Sequence, residues 1–223
     1  MIEINALRFR SLEIDHLTLP TGIISVIGPN GSGKTTFLRL CAGIAEPESG
    51  TILVDGVSPR QTNAGWVNEF PDKNILFPTV FDEIASPLRF AFTPCAGIER
   101  KVRETADLTG ISQLLVRDMR EMSGGEKVLV ALAAALVCHP TLLVLDEYDS
   151  HLDVNCAARM ETVLRQSGAS SIIRCTQQME TAAHSDYLLY IDQGKVLHAG
   201  TPARVFASLA GTAFYPFSWR CRK

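Results

Sequence analysis

Three groups of residues have the types and the spacing to do chemistry. The stretch "VIGPNGSGKTTFL", Val26 to Leu38, reads G-x-x-x-x-G-K-T, with Gly28, Gly33, Lys34 and Thr35 at the fixed places and Pro29, Asn30, Gly31, Ser32 and Thr36 completing the run. Glycines there allow a row of backbone N–H groups to close around a polyphosphate. Lys34 can reach the β- and γ-phosphates, Thr35 can hold Mg²⁺, and a helix beginning near Gly33 points its positive end at the anion. In "TLLVLDEYDSHLD", Thr141 to Asp153, an apolar strand runs into Asp146 and Glu147. Adjacent carboxylates at a strand end repel and lose hydration, so they call for a cation or a proton. A Mg²⁺ shared by Thr35 and Asp146 supplies one, which leaves Glu147 to accept a proton from an attacking water. In "MSGGEKVLVALAAALVCHP", Ser123 can cap a helix and Glu126 can complete a capping box. A cap alone does not require Gly124 and Gly125, and two bare glycines at a helix start expose a second anion-binding end.

The elements that must position these groups follow from the patterning. Strands are predicted at 2–9, 12–19, 23–27, 51–54, 65–67, 142–145, 171–175, 187–191 and 195–199. Helices are predicted at 35–42, 80–92 with an interruption at Pro87, 97–108, 124–138, 154–166 and 179–184, and a short one at 203–209. Strands come first and last, and 80–122 is almost entirely helical, so a sheet-based core carries a helical insertion. The length of 223 residues fits one such unit. A formal net charge of −3 gives no broad basic field, so nucleic acid is not an expected partner. "MIEINALRFR" alternates like a strand and does not read as a signal peptide. The longest apolar run, Val128 to Cys138, is about 11 residues, too short to span a bilayer. Six cysteines without a C-x-x-C pair, mostly inside apolar runs, read as reduced thiols of a cytosolic protein.

Together these motifs resemble the nucleotide-binding subunit of ABC (ATP-binding cassette) proteins over almost the whole chain. "GPNGSGKTT" is similar to Walker A, "LLVLDE" to Walker B, "MSGGE" to the LSGGQ signature and "SHLD" (150–153) to the D-loop. "FPDKNILFPTVFDEIASPL" (70–88) most resembles energy-coupling-factor importers, which take up vitamins or transition metals such as cobalt and nickel. The resemblance implies a single α/β domain over 1–223. It has a P-loop NTPase (RecA-like) core, an N-terminal antiparallel β subdomain and a helical insertion, about 79–122, carrying the signature. It also implies ATP and Mg²⁺ as ligands, and a head-to-tail dimer with a second ABC subunit, identical or not. In such a dimer Ser123, Gly124 and Gly125 grip the γ-phosphate held by the other subunit's Walker A. A transmembrane permease subunit is the implied partner, seated on the cluster Ile75, Leu76, Phe77, Val80 and Phe81, with the chain peripheral on the cytoplasmic face. Phe9 is the candidate for stacking on adenine.

Two positions depart from the family pattern. Glu69, in "GWVNEFPD", falls where the Q-loop glutamine is usual, and Gln177, in "SIIRCTQQME", where the switch histidine is usual. Gln177 can donate a neutral hydrogen bond to the γ-phosphate or the water but cannot carry a proton. Glu69 is repulsive toward a γ-phosphate unless Mg²⁺ lies between them. ATP binding with slow turnover is the expectation. Tyr148 stands where the family often has proline. Two other readings stay open: a soluble, non-transport ABC ATPase of the cofactor-assembly or repair type, and a nucleotide-gated clamp that hydrolyses little.

Overall fold

The computed structural model describes residues 1–70, 75–150 and 152–220. Strict alternation builds the first hairpin: β1 (Ile2–Phe9) buries Ile2, Ile4 and Leu7, and β2 (Leu12–Leu19) buries Leu12, Ile14, Leu17 and Leu19. The two pair antiparallel from Phe9↔Leu12 across the turn Arg10–Ser11, with Arg10 in the left-handed region (φ 54°). β3 (Gly22–Ile27) is instead an unbroken apolar run, buried on both faces, which is the mark of a central parallel strand. It leads into α1 (Lys34–Cys41), followed by β4 (Ser49–Val54), which pairs with β1, and the short β5 (Ala64–Val67).

No strand occurs among the described residues between β5 and β6. That stretch holds α2 (Val80–Phe90), α3 (Cys95–Thr109), two 3₁₀ turns and α4 (Gly124–Leu136). β6 (Leu142–Asp146), α5 (Val154–Gln166), β7 (Ser171–Cys175), α6 (Met179–Ala183), β8 (Tyr187–Asp192), β9 (Lys195–Gly200), α7 (Pro202–Ser208) and α8 (Phe217–Arg220) complete the chain. The sheet runs β4-β1-β2-β9-β8-β3-β7-β6-β5. Strands β8, β3, β7, β6 and β5 are mutually parallel, and β2 meets β9 at the single register pair Glu13↔Lys195. One core cluster joins Leu143, Leu145 and Ile172 to α2, α3, α4 and α5. A second lies on the other face, where Leu142, Val144 and Ile173 meet α1 and the first hairpin. A third holds α6, α7 and the C-terminal aromatics.

Most element bounds shift by one or two residues from the sequence reading, and three differences stand out. Helix α2 passes through Pro87 without a break. Proline removes the N–H that would serve the Glu83 carbonyl, and Ser86 Oγ donates to that carbonyl instead, at 2.9 Å. Helix α3 begins two residues early because Pro94 sets its N-terminal boundary. The C-terminal α8 had no periodicity to announce it. The family-like segment 70–88 includes residues 71–74, and the D-loop-like segment includes residue 151, which lie outside the described residues.

Candidate nucleotide site

Three neighbouring parallel strands deliver the site to one sheet edge. The register Val26↔Cys175 and Cys175↔Asp146 sets the ends of β3, β7 and β6 side by side, the edge where open α/β sheets bind ligands. From β3 the chain turns at Gly28 (φ 147°), where an added Cβ would stand 1.9 Å from the Ile191 carbonyl oxygen. Only glycine fits. At the far end Gly33 (φ 104°) opens α1 with no side-chain cap and no acidic residue in the first turn, so the helix's positive end is left open for an anion. Ser32 Oγ is buried with no partner. Lys34 is buried, its Nζ donating to the carbonyls of Gly28 (2.9 Å) and Pro29 (3.0 Å) and lying 3.9 Å from Glu147 Oε1. An uncapped helix end, an unpaired hydroxyl and a buried ammonium make a cradle that fits a phosphate chain.

Thr35 Oγ1 donates to Asp146 Oδ1 at 3.0 Å. Burial pushes the Asp146 carboxyl up, the Thr35 hydrogen bond opposes this, and the charges of Glu147 and Glu69 add to the rise. A hydroxyl beside a buried carboxylate is a hard-oxygen pair of the kind that suits Mg²⁺, which otherwise keeps water and phosphate ligands. Among the described residues no group of three or more His, Cys, Asp or Glu is arranged to hold a metal without such help. Glu147 follows in the left-handed region (φ 47°), its N–H donating to the Cys175 carbonyl at 3.1 Å. Gln177, just past β7, donates through Nε2 to Glu147 Oε2 (2.9 Å) and to Asn30 Oδ1 (3.0 Å). Glu147 therefore has a fixed amide partner.

A cleft of about 540 Å³ is lined by Asn30, Gly31, Gly33, Lys34, Thr35, Thr36, Glu69, Glu147 and Gln177, together with Arg10 and Ser11. The candidate Phe9 is not in its lining. Phe9 is half-buried against the core of the first hairpin, and the Arg10 guanidinium sits 5.3 Å from its ring centre. Arg10 and Ser11 reach the cleft because the two-residue turn of the hairpin ends there, a proximity with no local signal.

The glycine pair lies elsewhere. Ser123, Gly125 and Glu126 line a separate cavity of about 340 Å³ beside Asp153 and Cys156, and an added Cβ on Gly124 would meet nothing within 4 Å. The capping box is formed in full: Glu126 N–H donates to Ser123 Oγ, while Ser123 N–H and Oγ donate to Glu126 Oε2. The two glycine-bearing helix starts of the chain thus do not share a cleft. Of the apolar cluster, Val80 is core, Ile75 and Phe81 pack partly against the core, and Leu76 is 70% exposed. Ile75 also lines a cavity of about 340 Å³ between β5, α2 and α4.

Residues 13–150 match the family model described as ABC transporter. The chain is 34% identical over 224 residues to the trehalose/maltose import ATP-binding protein MalK of Thermococcus litoralis, a match covering 94% of this chain and 59% of that protein. It is 33% identical over 194 residues to the energy-coupling factor transporter ATP-binding protein EcfA1 of Latilactobacillus sakei, covering 82% of this chain and 69% of that protein. In fold it superposes on cbiO1 of Clostridium perfringens with a TM-score of 0.84 at 24% identity, over 93% of this chain and 91% of that one. It also superposes on an ATP-bound bacterial Atm1-family ABC exporter with a TM-score of 0.81 at 23% identity, over all of this chain and 42% of that one. The phosphate cradle, the Asp146–Glu147 strand end and the glycine-paired helix lie in a chain matched at family level over more than half its length. The chain belongs to the ABC transporter family and is a nucleotide-binding ATPase subunit of it.

Proposed function

We propose that the chain binds Mg-ATP between two cassettes and hydrolyses it slowly to drive uptake of a solute through a membrane-protein partner. The relatives EcfA1 and MalK are named as energy-coupling or import ATP-binding proteins, which favours uptake; a vitamin or a metal ion such as cobalt or nickel is the solute class implied by the resemblance of 70–88 to energy-coupling-factor importers. Among the described residues no helix is long and apolar enough to cross a membrane, in keeping with a peripheral place on the cytoplasmic face beside a permease subunit.

At the site, the uncapped start of α1, Lys34 and Ser32 bind the β- and γ-phosphates. Thr35 and Asp146, with Glu69 facing the same cleft, would hold Mg²⁺, which offsets charge on the phosphate oxygens. Glu147 Oε2 accepts the proton of the water that attacks the γ-phosphorus as the bond to ADP breaks, and Gln177, both of whose amide N–H groups are taken by Glu147 and Asn30, holds that carboxylate in place. Ser123, Gly124 and Gly125 serve the γ-phosphate of the opposite subunit, identical or related, since within one chain they lie outside the cleft. The observation that carries the reading is the Gln177 amide bridging Asn30 and Glu147 in the cleft that Gly33 and Lys34, at the open start of α1, also line.

Size-exclusion chromatography and phosphate release on the purified chain test it. Glu147→Gln with Mg-ATP is expected to form a lasting dimer, with itself or with a related cassette. The native chain is expected to turn over well below the enzyme median of about 10 s⁻¹. Monomers throughout, with a related cassette supplied, would refute the sandwich. Equal dimer lifetimes for the native chain and Glu147→Gln would favour a clamp, the reading that the neutral Gln177 and the acidic Glu69 support. A native complex free of any membrane protein would favour a soluble ABC ATPase.

A further inference from the structure

Arg174 stands within β7, otherwise a run of small and apolar residues, and its side chain has no exposed surface. Its guanidinium reaches three elements and the loop after β6. Nε donates to Ser25 Oγ on β3 at 2.9 Å, and Nη2 donates to the Thr181 carbonyl on α6 at 2.6 Å. Nη1 donates to Tyr148 OH at 3.3 Å and to the Glu161 carboxylate on α5. Burying a cation costs several kcal/mol, and apolar residues of similar volume often serve stability as well or better. Glu161 balances the charge, yet its other oxygen, Oε2, is buried without a partner, so the pair is not built for its own sake. The remaining bonds point to what the arginine holds.

Two of its partners lie directly behind the reacting groups. Tyr148 follows Glu147, and Thr181 sits in the helix that continues from Gln177 and Gln178. A second clasp joins the same two loops: Thr176 Oγ1 donates to the buried Asp149 Oδ2 at 2.6 Å, and Gln178 Nε2 donates to the Asp149 carbonyl at 2.8 Å. In front, the loops meet through the Gln177–Glu147 hydrogen bond. Glu147 also holds a left-handed backbone, which a non-glycine residue keeps only where its surroundings enforce it.

We propose that Arg174 is a positioning residue. By anchoring Tyr148 and α6 to one rigid guanidinium, it fixes the Gln177 amide against the Glu147 carboxylate and so aims the base at its water. The inference rests on the reading of Glu147 as that base. Neither Arg174 nor Tyr148 lines the nucleotide cleft, so ATP affinity should not depend on them.

Tyr148→Phe keeps the ring packing and deletes one hydrogen bond; Arg174→Lys deletes the fork. In the full chain, both are expected to leave ATP affinity within about twofold of native. Tyr148→Phe should lower kcat about two- to tenfold, the range of a single hydrogen bond. In a Gln177→Ala background Tyr148→Phe should add almost nothing, because the effect passes through that side chain. The Gln177 side-chain amide resonances, assigned by their loss in Gln177→Ala, should shift in both variants. A general loss of packing would not single out that amide. Unmoved Gln177 resonances in Tyr148→Phe, or a kcat loss undiminished in the Gln177→Ala background, would overturn the proposal. Should Arg174→Lys fail to fold, Tyr148→Phe decides. Absence of native turnover would count against the functional reading, and the amide spectrum would still decide this one.

Discussion

At the residue scale the site differs from a generic phosphate loop in two side chains, Gln177 and Glu69. Gln177 spends its Nε2 donors on Glu147 and Asn30, so it orders the base but brings no positive charge to the developing phosphate. Gln177→His restores a group that can donate with charge, and one transition-state donor is worth about 10²–10³ in rate. Turnover at saturating Mg-ATP should therefore rise at least tenfold; a slower histidine variant would contradict the assignment. Glu69 lines the cleft, and its charge adds to the upward push on Asp146. A carboxylate near a bare triphosphate opposes it by about 1 kcal/mol per unit charge at contact in water. Glu69→Gln should thus tighten ATP binding in EDTA about fivefold, with a smaller gain in Mg²⁺, as measured by calorimetry. Equal affinities in EDTA would place Glu69 outside the electrostatics of the phosphates. The contiguous members of the site were legible in the sequence because glycine spacing and a strand ending in two acids are local patterns. Arg10, Asp149 and Arg174 were not, since their relevance comes only from which strands and turns lie side by side.

At the element scale, strands read most faithfully. β1, β2 and β7 have the bounds their patterning predicts, because alternation, or a short run broken only by Arg174, ends sharply at Pro or a polar residue. Helix ends were less legible, since they depend on where a lone carbonyl finds a donor: Ser86 rescues α2 at Pro87, and no periodicity shows that. Helix α4 has a consequence of its own. Its capping box already occupies the Ser123 hydroxyl, and the two Ser123 hydrogen bonds, backbone first, hold the Glu126 carboxyl below its ordinary range. A phosphate arriving at this end must compete with that carboxylate for the hydroxyl and face its charge. Glu126→Gln keeps an acceptor for the box and removes the charge. In a Glu147→Gln background it should lengthen the ATP-bound dimer's lifetime several-fold, followed by dilution and chromatography. A shortened lifetime would mean that the carboxylate itself belongs to the interface. Ser123→Ala, which loses both the cap and the grip, should shorten the lifetime and cost about 1 kcal/mol of stability.

At the scale of the whole molecule, the C-terminal segment closes back on the region that carries Gln177. Trp219 packs edge-on against Phe206 (5.3 Å) and Tyr215 (6.3 Å), and the N–H and hydroxyl of Ser218 both donate to Glu180 on α6, at 2.9 and 2.6 Å. The tail folds onto the chain's own third core cluster. Those hydrogen bonds, the hydroxyl's first, hold the Glu180 carboxyl below its ordinary range. A depressed carboxyl favours the docked tail fully above its free pKa of about 4.3, and the benefit is lost as pH falls through the lowered value. With Trp66 replaced by Phe, Trp219 is the remaining one of two tryptophans and reports on docking. Its emission should stay constant from neutral pH down to the ordinary carboxyl range and change only below it, while far-UV circular dichroism still shows folded protein. Ser218→Ala, which keeps only the backbone donor, should move that transition upward toward the free value. Glu180→Gln, which cannot titrate, should abolish it, and a Trp219 transition unchanged in Glu180→Gln would show that another group governs the tail.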